Sequence, residues 1–479
     1  MNRTRYMKNN KLLGNRRSQQ ASNPANAARN GLPWKSLEQQ VVRAQKQIAQ
    51  ASLRGDRQAV YDLQQRLMES EAARLLAVRR VAGENQGRDT AGVDGVKSLG
   101  LEERLAMASA IHPRNWNYQP PMPVRRVWIP KTGTTERRPL AILPMIDRCK
   151  QALVKLALEP EWEVKFEAHS YGFRPGLGVH DAIAAIVVAI DRQPMFVFDA
   201  DIEAAFDCVN QAALLDKLQT SHVLRQLITA WLRAGVMDGE MYAPSETGLA
   251  QGGVLSPLLM NIALHGIEAV ATEGVESGRA GERPLLVRYA DDFVILHHDL
   301  KELQQAIRRV KRWLAHLGLH LHAEKTRITH TLIPSQGQVG FDFVGFNIRQ
   351  EQGNRIKTII APSQEAIRRH LAAIDQRLLQ LQTAPQARVI EELNPLVIGW
   401  VAYYNGVVPA AAMSRFDALI EQRLLNWAGK RHPGKAREWL LNRYWQRVGG
   451  PGRHEKVFAL RDGAQLRTYR QASILKGKP

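Results

Sequence analysis

Apolar and polar residues follow two different patterns along this 479-residue chain. Between residues 165 and 350, short β-prone runs alternate with stretches in which apolar residues recur at helical spacing. After residue 362 the pattern changes, and Ile367, Leu371 and Ile374 recur every three to four residues. Because such a stripe forms one face of a helix, the pattern predicts an α/β region followed by a helical region.

Two helices are predicted before the β-prone segment at 124–142. Ser36 and Gln39 have the spacing of a capping box, which predicts that the first helix opens at Ser36. Asp56 precedes an apolar stripe that includes Val60, and this predicts a second helix capped by Asp56.

Adjacent carboxylates at Asp291 and Asp292 lie between two apolar runs, 285–288 and 293–296. This pattern predicts a tight β-hairpin with acid at its tip. Neighbouring carboxylates repel each other, and a hard cation such as Mg²⁺ offsets that repulsion. An Asp-Asp pair taken alone is more often a solvated turn, so the hypothesis needs a second acidic segment.

That second segment is 196–207, in which a β-rich run enters an acidic turn at Asp201 and then a helix. If Asp201 joins Asp291 and Asp292, three carboxylates could hold two ions about 3.5–4 Å apart, the spacing used for in-line displacement at phosphorus. The two acidic segments together therefore predict a two-metal site for phosphoryl transfer.

Further motifs occur in a fixed order along the chain. They lie at residues 90–95, 129–133, 170–176, 251–257, 289–292, 318–327 and 343–346. With these motifs, the chain resembles the reverse transcriptases encoded by group II introns, also called maturases, over roughly residues 34 to 450. The resemblance implies an α/β right-hand polymerase, with fingers and a palm that contain an antiparallel sheet flanked by helices, followed by an all-helical thumb.

The resemblance also implies a domain organisation. The expected segments are a basic N-terminal arm (1–35), an N-terminal extension with fingers (36–165), a palm with the active site (166–355), a helical thumb or maturase domain (356–448) and a short basic DNA-binding-like tail (449–479). No paired Cys and His clusters of an HNH endonuclease follow residue 449. The expectation is therefore that the chain does not cut its own second-strand primer.

Site residues are carried over from the family onto matching positions. Asp201, Asp291 and Asp292, with the carbonyl of Ile202, are the expected ligands of two Mg²⁺ ions. The expected contacts to the incoming deoxynucleotide are Lys131, Arg138, Phe206, Gln251 and Lys325. Phe206 would exclude a ribose 2′-hydroxyl, although a core Phe at a strand-helix junction is the alternative. Basic residues in a turn are often only solvated, which is the alternative for Lys131 and Arg138.

Charge supports a nucleic-acid partner. The formal net charge is +20, with 66 Lys and Arg against 46 Asp and Glu. Residues 1–35 hold eight basic and no acidic residues, and residues 415–479 hold fifteen basic and five acidic residues. Since phosphate neutralisation drives sequence-independent affinity, the ends are expected to grip RNA or DNA. The competing explanations are a membrane-surface tail and a solubility device. The expected contact residues are Arg174, Arg431, Lys435, Arg437 and Arg443.

Composition also suggests a compartment. The longest apolar run, at 182–190, is too short to span a membrane, so no membrane partner is expected. The two cysteines, Cys149 and Cys208, exclude a disulfide framework and suit a reducing bacterial cytoplasm, with association to the nucleoid. The acid-free N-terminus could instead be an organellar transit peptide, but it lacks a clear amphipathic period.

The sequence therefore predicts an RNA-directed DNA polymerase that also acts as an intron maturase. Its expected partners are group II intron RNA, an RNA template with a DNA primer, and target DNA; no obligate protein partner is evident. Two alternatives remain at this point. One is a related polymerase recruited to DNA repair or phage defence, and the other is an RNA-binding splicing cofactor without polymerase activity.

Overall fold

The computed structural model describes residues 31–118, 120–130, 137–191, 193–275, 283–335, 337–448 and 455–475. The chain divides into two compact units, the first formed by 1–129 and 137–330 and the second by 130–136 and 331–479. Of the predicted site residues, Lys131 lies outside the described residues, as does most of the predicted arm at 1–35. None of the described helices is both long and apolar enough to cross a membrane.

Helices dominate the start of the first unit. Among its described residues, the α-helices are α1 (Trp34–Leu53), α2 (Arg57–Glu69), α3 (Glu71–Val78), α4 (Leu101–Ala110), α5 (Met145–Glu163), α6 (Val179–Ile190), α7 (Ala205–Cys208), α8 (Gln211–Leu218), α9 (His222–Arg233), α10 (Ser256–Leu264), α11 (Ile267–Ala271) and α12 (Leu300–His316). Asp56 caps α2 as predicted, because its carboxylate accepts from the Ala59 amide. The predicted cap at Ser36 is wrong, since α1 already begins at Trp34 after Pro33.

Helix α5 is the centre of the first unit's core. Most of its side chains are buried, including the polar residues Asp147 and Glu161. These polar groups are bonded: Gln64 donates to Glu161 at 2.7 Å and Trp231 donates to Asp147 at 3.0 Å. A buried polar group that is hydrogen-bonded avoids most of its desolvation cost. Helix α5 can therefore pack against both α1–α3 and α9–α10.

Two four-stranded sheets complete the first unit. Their strands are β1 (Val124–Pro130), β2 (Arg137–Ile142), β3 (Phe196–Ala200), β4 (Val236–Asp238), β5 (Met241–Ala243), β6 (Leu285–Tyr289), β7 (Asp292–His297) and β8 (Arg327–His330). One sheet has the order β2-β1-β4-β5 and the other β6-β7-β3-β8. The second sheet is antiparallel, as predicted. The first sheet is mixed, because β1 and β4 pair in parallel whereas β4 and β5 pair antiparallel.

The second unit contains strands as well as helices. Its elements are β9 (Phe341–Phe343), β10 (Phe346–Glu351), β11 (Lys357–Pro362), α13 (Gln364–Gln380), α14 (Gln386–Tyr404), α15 (Ala410–Met413), α16 (Arg415–Arg431), α17 (Arg437–Tyr444), β12 (Trp445–Val448), β13 (Glu455–Phe458) and α18 (Tyr469–Leu475). The prediction that 356–448 is all-helical is wrong, because β11 and β12 lie in that range. The β-branched run in β11 pairs along its whole length with β10.

Residues 455–475 of the predicted C-terminal tail pack into the second unit's core. Strand β13 pairs with β12, and Phe458 stacks against Tyr444 with ring centroids 6.0 Å apart. Tyr469 is 1% exposed and shares a hydrogen bond with His370 of α13. Residues 455–475 therefore contribute to the packed core of the second unit, in addition to any nucleic-acid contact that they make.

Candidate active site

The tip of the β6–β7 hairpin carries the adjacent aspartates. Tyr289 pairs with Asp292, which leaves Ala290 and Asp291 as the turn and confirms the predicted hairpin. Ala290 has a φ of 59°, in the left-handed region that costs a residue with a side chain free energy. The surrounding structure must therefore hold this turn in place.

Strand β3 brings Asp201 to the same end of the sheet. Ala200 pairs with Phe293, so the next residues beyond this pair are Asp201 and Asp292. On the β8 side, the His322 amide donates to the Asp201 carbonyl at 2.8 Å. Ile202 forms an isolated antiparallel bridge with Leu321, so the pairing on this side continues beyond Asp201.

The three carboxylates interact electrostatically. Burial by the surrounding protein, followed by the charges of Asp291, Asp201 and Asp199, raises the pKa of Asp292 to about 7. Burial and the charge of Asp201 also raise the pKa of Asp291, while the charge of Arg138 opposes the rise. These shifts mean that a cation at this end of the sheet would be stabilised by several nearby negative groups.

Two basic side chains already face this acidic cluster. Lys325 donates to Oδ2 of Asp201 at 2.9 Å, and Arg327 lies 3.2 Å from Oδ2 of Asp199. Sequence reasoning missed Asp199 as a member of the cluster. Its position two residues before Asp201 in a strand is the signal that could have identified it, because such residues share a face.

The donor set suits a hard divalent cation in chemistry. Carboxylate and carbonyl oxygens are the ligands that Mg²⁺ prefers. Among the residues that the structure describes, however, no three His, Cys, Asp or Glu side chains are grouped closely enough to hold a metal ion. The acidic side chains lie at one end of the sheet, and Asp201 is bonded to Lys325. The residues therefore match a Mg²⁺ site in the type of their donor atoms and in the placement of their backbone. Their side chains do not surround a metal position.

Backbone contacts bring the predicted nucleotide-binding residues to one region. The amide of Ala141, three residues after Arg138 on the same strand, donates to the Gln251 carbonyl at 2.7 Å. Gly252 lies so close to this strand that a Cβ atom would come within 2.9 Å of the Ala141 carbonyl. Arg138 is exposed, and its charge acts on Asp291.

Phe206 lies in the short helix α7, directly after the acidic turn. Its side chain is half-buried and packs against the core, and its carbonyl accepts from the Leu249 amide at 2.6 Å. This bond fixes Phe206 beside the segment that leads into Gln251. A half-exposed ring at this place is compatible with both a sugar contact and a core role.

The predicted nucleic-acid contacts have different surroundings. Arg174 is 8% exposed, and its guanidinium donates to Glu163 and to the carbonyls of Glu167 and Ser170. This placement favours a structural role for Arg174. Arg431 donates to the carbonyls of Gln382 and Ala384, so it also makes internal bonds.

The other three predicted contacts are exposed. They are Lys435, Arg437 and Arg443. Lys435 lies 5.4 Å from the ring centroid of Trp439, and Arg437 forms an exposed ion pair with Glu421 at 3.4 Å. These side chains can reach a phosphate without breaking a buried interaction.

Three family models match the chain. The model for reverse transcriptase (RNA-dependent DNA polymerase) matches residues 129–348 and therefore covers the acidic hairpin. The model for the N-terminal domain of reverse transcriptase matches residues 30–111. The model for the group II intron maturase-specific domain matches residues 367–445, within the second unit.

Curated relatives agree with these matches. The chain is 29% identical to protein YkfC of Escherichia coli K12 over 64% of this chain and 89% of that protein. It is 28% identical to the group II intron-encoded protein LtrA of Lactococcus lactis subsp. cremoris over 57% of this chain and 54% of that protein. Maturase-like protein 1 of Euglena gracilis is 26% identical over 50% of this chain and 51% of that protein. The chain thus spans about half the length of the last two relatives.

The acidic hairpin, its strand partner and the reverse transcriptase match together define the class: the chain is a reverse transcriptase, with the right-hand polymerase fold that this class implies. The matches to the N-terminal and maturase-specific models indicate which kind of reverse transcriptase it is. The chain carries the reverse transcriptase domain together with the N-terminal reverse transcriptase domain and the group II intron maturase-specific domain, and it is similar to the group II intron-encoded protein LtrA. Reverse transcriptases as a family generally use divalent metal ions.

Proposed function

We propose that this chain copies RNA into DNA at the β6–β7 hairpin and also binds group II intron RNA to assist splicing and reverse splicing. The observation that carries the polymerase part is the strand register, in which Asp201 follows the Ala200–Phe293 pair and so neighbours Asp292. The match of residues 367–445 to the maturase-specific domain supports the RNA-binding part.

Asp201, Asp291 and Asp292, with the Ile202 carbonyl, are the proposed ligands of two Mg²⁺ ions. Bound there, the ions would supply the electrostatic stabilisation that phosphoryl transfer requires. The chain's own contribution is to hold these oxygens at one end of a sheet. Lys325, which bonds Asp201, limits repulsion among the carboxylates and is the proposed contact to the phosphates of the nucleotide.

The proposed nucleotide pocket is built from Arg138, Phe206 and Gln251, whereas Lys131, which lies outside the described residues, stays a prediction as a phosphate contact. Arg138 offers a planar fork of donors to phosphate oxygens, and Lys131 offers a point charge. The ring of Phe206 is the proposed barrier to a 2′-hydroxyl. The hydrogen bond from the Ala141 amide to the Gln251 carbonyl joins the Arg138 strand to the Gln251 loop.

The second unit is the proposed site of intron RNA binding. Lys435, Arg437 and Arg443 are exposed and lie within the maturase-specific match. Trp439 is 38% exposed beside Lys435, which suits stacking on an unpaired base. An RNA template with a DNA primer, and target DNA, are the further proposed partners.

Primer extension on an RNA template tests the proposal. Asp291→Ala should abolish synthesis in Mg²⁺ while RNA binding, measured by filter retention at fixed salt, survives. Asp62→Ala, at an exposed aspartate on α2, is the matched control and should retain synthesis. Substantial synthesis by Asp291→Ala would overturn the site. Wild-type protein that binds RNA without extending any primer would favour a splicing cofactor instead.

A further inference from the structure

A buried hydrogen-bond cluster lies directly beneath the hairpin tip. Arg288, at 1% exposure, uses Nη1 to donate to Oδ1 of Asn261 and to the carbonyl of Ala290, both at 2.8 Å. Asn261, also 1% exposed, uses Nδ2 to donate to the Gly172 carbonyl at 2.8 Å. One side chain from α10 therefore joins the hairpin to a segment that lies far away in sequence.

The segment around Gly172 is itself fixed to strand β6. The Arg288 amide donates to the His169 carbonyl, and the Tyr171 amide donates to the Arg288 carbonyl, both at 2.9 Å. Gly172 then lies so close to the turn that a Cβ atom would come within 2.2 Å of the Ala290 nitrogen. Only a residue without a side chain fits at this position against the turn.

The charge of Arg288 is compensated at a distance. Glu167 supplies its largest opposing charge, while Nε and Nη2 make no hydrogen bond among the described residues. Among the described residues, the Arg288 side chain donates to Asn261 and to the Ala290 carbonyl. The guanidinium is therefore directed at the hairpin turn.

We infer that Arg288, Asn261 and Gly172 form a positioning clamp that fixes the Ala290–Asp291 peptide and thereby aims the Asp291 carboxylate. In this clamp, Arg288 donates to the Ala290 carbonyl, and Gly172 packs against the Ala290 nitrogen. Because both the nitrogen side and the carbonyl of the left-handed residue Ala290 are held, the Ala290–Asp291 peptide is fixed in one orientation. The three residues are positioning residues, because none of them is proposed to touch substrate or metal.

This inference rests on the proposed function, since it assigns a task to groups behind the proposed metal ligands. Residues that orient metal ligands from behind typically change metal affinity or activity about 10–100-fold when removed. Loss of the clamp should therefore weaken divalent-ion binding and lower kcat by about that factor, while primer–template affinity stays the same, because the clamp is buried.

Asn261→Leu is the principal test, since it keeps the branched shape and the number of side-chain heavy atoms and removes both bonds. Gln64→Leu is the matched control: Gln64 is also 1% exposed in the first unit, and its side-chain amide donates to Glu161 in the α1–α5 core. Mn²⁺ binding to the protein without nucleotide, followed by electron paramagnetic resonance, gives a readout that needs no catalysis. Primer extension gives kcat and the KM for deoxynucleotide, and thermal unfolding gives stability.

The expected result is an about 10–100-fold loss of Mn²⁺ affinity and of kcat in Asn261→Leu, with Gln64→Leu close to wild type in both. Unchanged Mn²⁺ affinity in folded Asn261→Leu, or an equal loss in Gln64→Leu at equal stability, would overturn the clamp. If Asn261→Leu fails to fold, Gly172→Ala gives the second test, because its Cβ displaces the turn from outside; unchanged Mn²⁺ affinity there would also overturn it. If wild-type protein binds Mn²⁺ but extends no primer, the proposed function fails while the clamp is still tested by Mn²⁺ affinity.

Discussion

The buried imidazole of His370 should make the second unit sensitive to acid. Its ring stacks on Trp400 with centroids 4.2 Å apart, and its Nε2 shares a hydrogen bond with the Tyr469 hydroxyl. Burial, together with the charge of Arg423, lowers the pKa of His370 to about 4. Because the pKa is lower in the folded state, the unfolded state binds more protons at intermediate pH, and acid favours unfolding.

The size of the effect follows from the shift. The pKa falls from 6.5 to about 4 on folding, and each unit corresponds to about 1.36 kcal/mol. The contribution is fully present above about pH 6.5. It is lost progressively as the pH falls to about 4, for a total loss of about 3 kcal/mol.

His370→Phe removes the titration while keeping an aromatic ring against Trp400. At pH 7 the variant should be less stable by about 1 kcal/mol, because the bond to Tyr469 is lost. Between pH 6.5 and 4 it should lose less stability than the wild-type protein. Urea unfolding at a series of pH values, monitored by hydrogen exchange in α13, measures the stability at pH 7 and its loss between pH 6.5 and 4. The exposed His316 provides a control, since His316→Gln should leave the wild-type profile unchanged. An unaltered pH slope in His370→Phe would refute the reasoning.

Three further variants test the site and the RNA surface. Phe206→Ala should raise ribonucleotide incorporation in primer extension; unchanged sugar selectivity would remove the gate assignment. Lys325→Met should raise the KM for deoxynucleotide about ten-fold, the range of one charge-assisted bond, and an unchanged KM would exclude a phosphate contact. Arg443→Ala should weaken intron RNA binding and reduce its salt slope by about 1, whereas Arg431→Ala should mainly lower the unfolding temperature. Equal salt slopes in Arg443→Ala and wild type would contradict an RNA contact there.

The sequence was sufficient to predict the elements that carry the acidic residues, because each has a local signal. Asp291 and Asp292 lie between two apolar runs that read as paired strands, and Asp201 follows a third. The antiparallel pairing of β3 with β7, which brings Asp201 to the same end of the sheet, is a long-range contact. The helical stripe at Ile367 likewise predicted α13 from periodicity alone.

Other features depend on contacts that no local pattern encodes. The bond between Asn261 and Gly172 joins residues 89 positions apart, so spacing could not reveal the clamp. The segment 357–362 falls in the range that the pattern predicts to be helical, and it forms a strand because β10 pairs with it along its whole length. The sequence predicts a nucleic-acid contact for Arg174 and cannot reveal that Glu163 and two backbone carbonyls engage its guanidinium.

The net charge of this chain therefore differs from the charge that is available to bind phosphate. Arg174 and Arg431 add to the net charge of +20, yet their donors are directed at internal carbonyls, so withdrawing them would break bonds that the fold uses. Lys435 and Arg443 carry the same formal charge on exposed side chains. Only cations of the second kind can release counterions from a phosphate backbone at low cost. The salt dependence of RNA binding should consequently follow the number of exposed cations, which is smaller than the composition suggests.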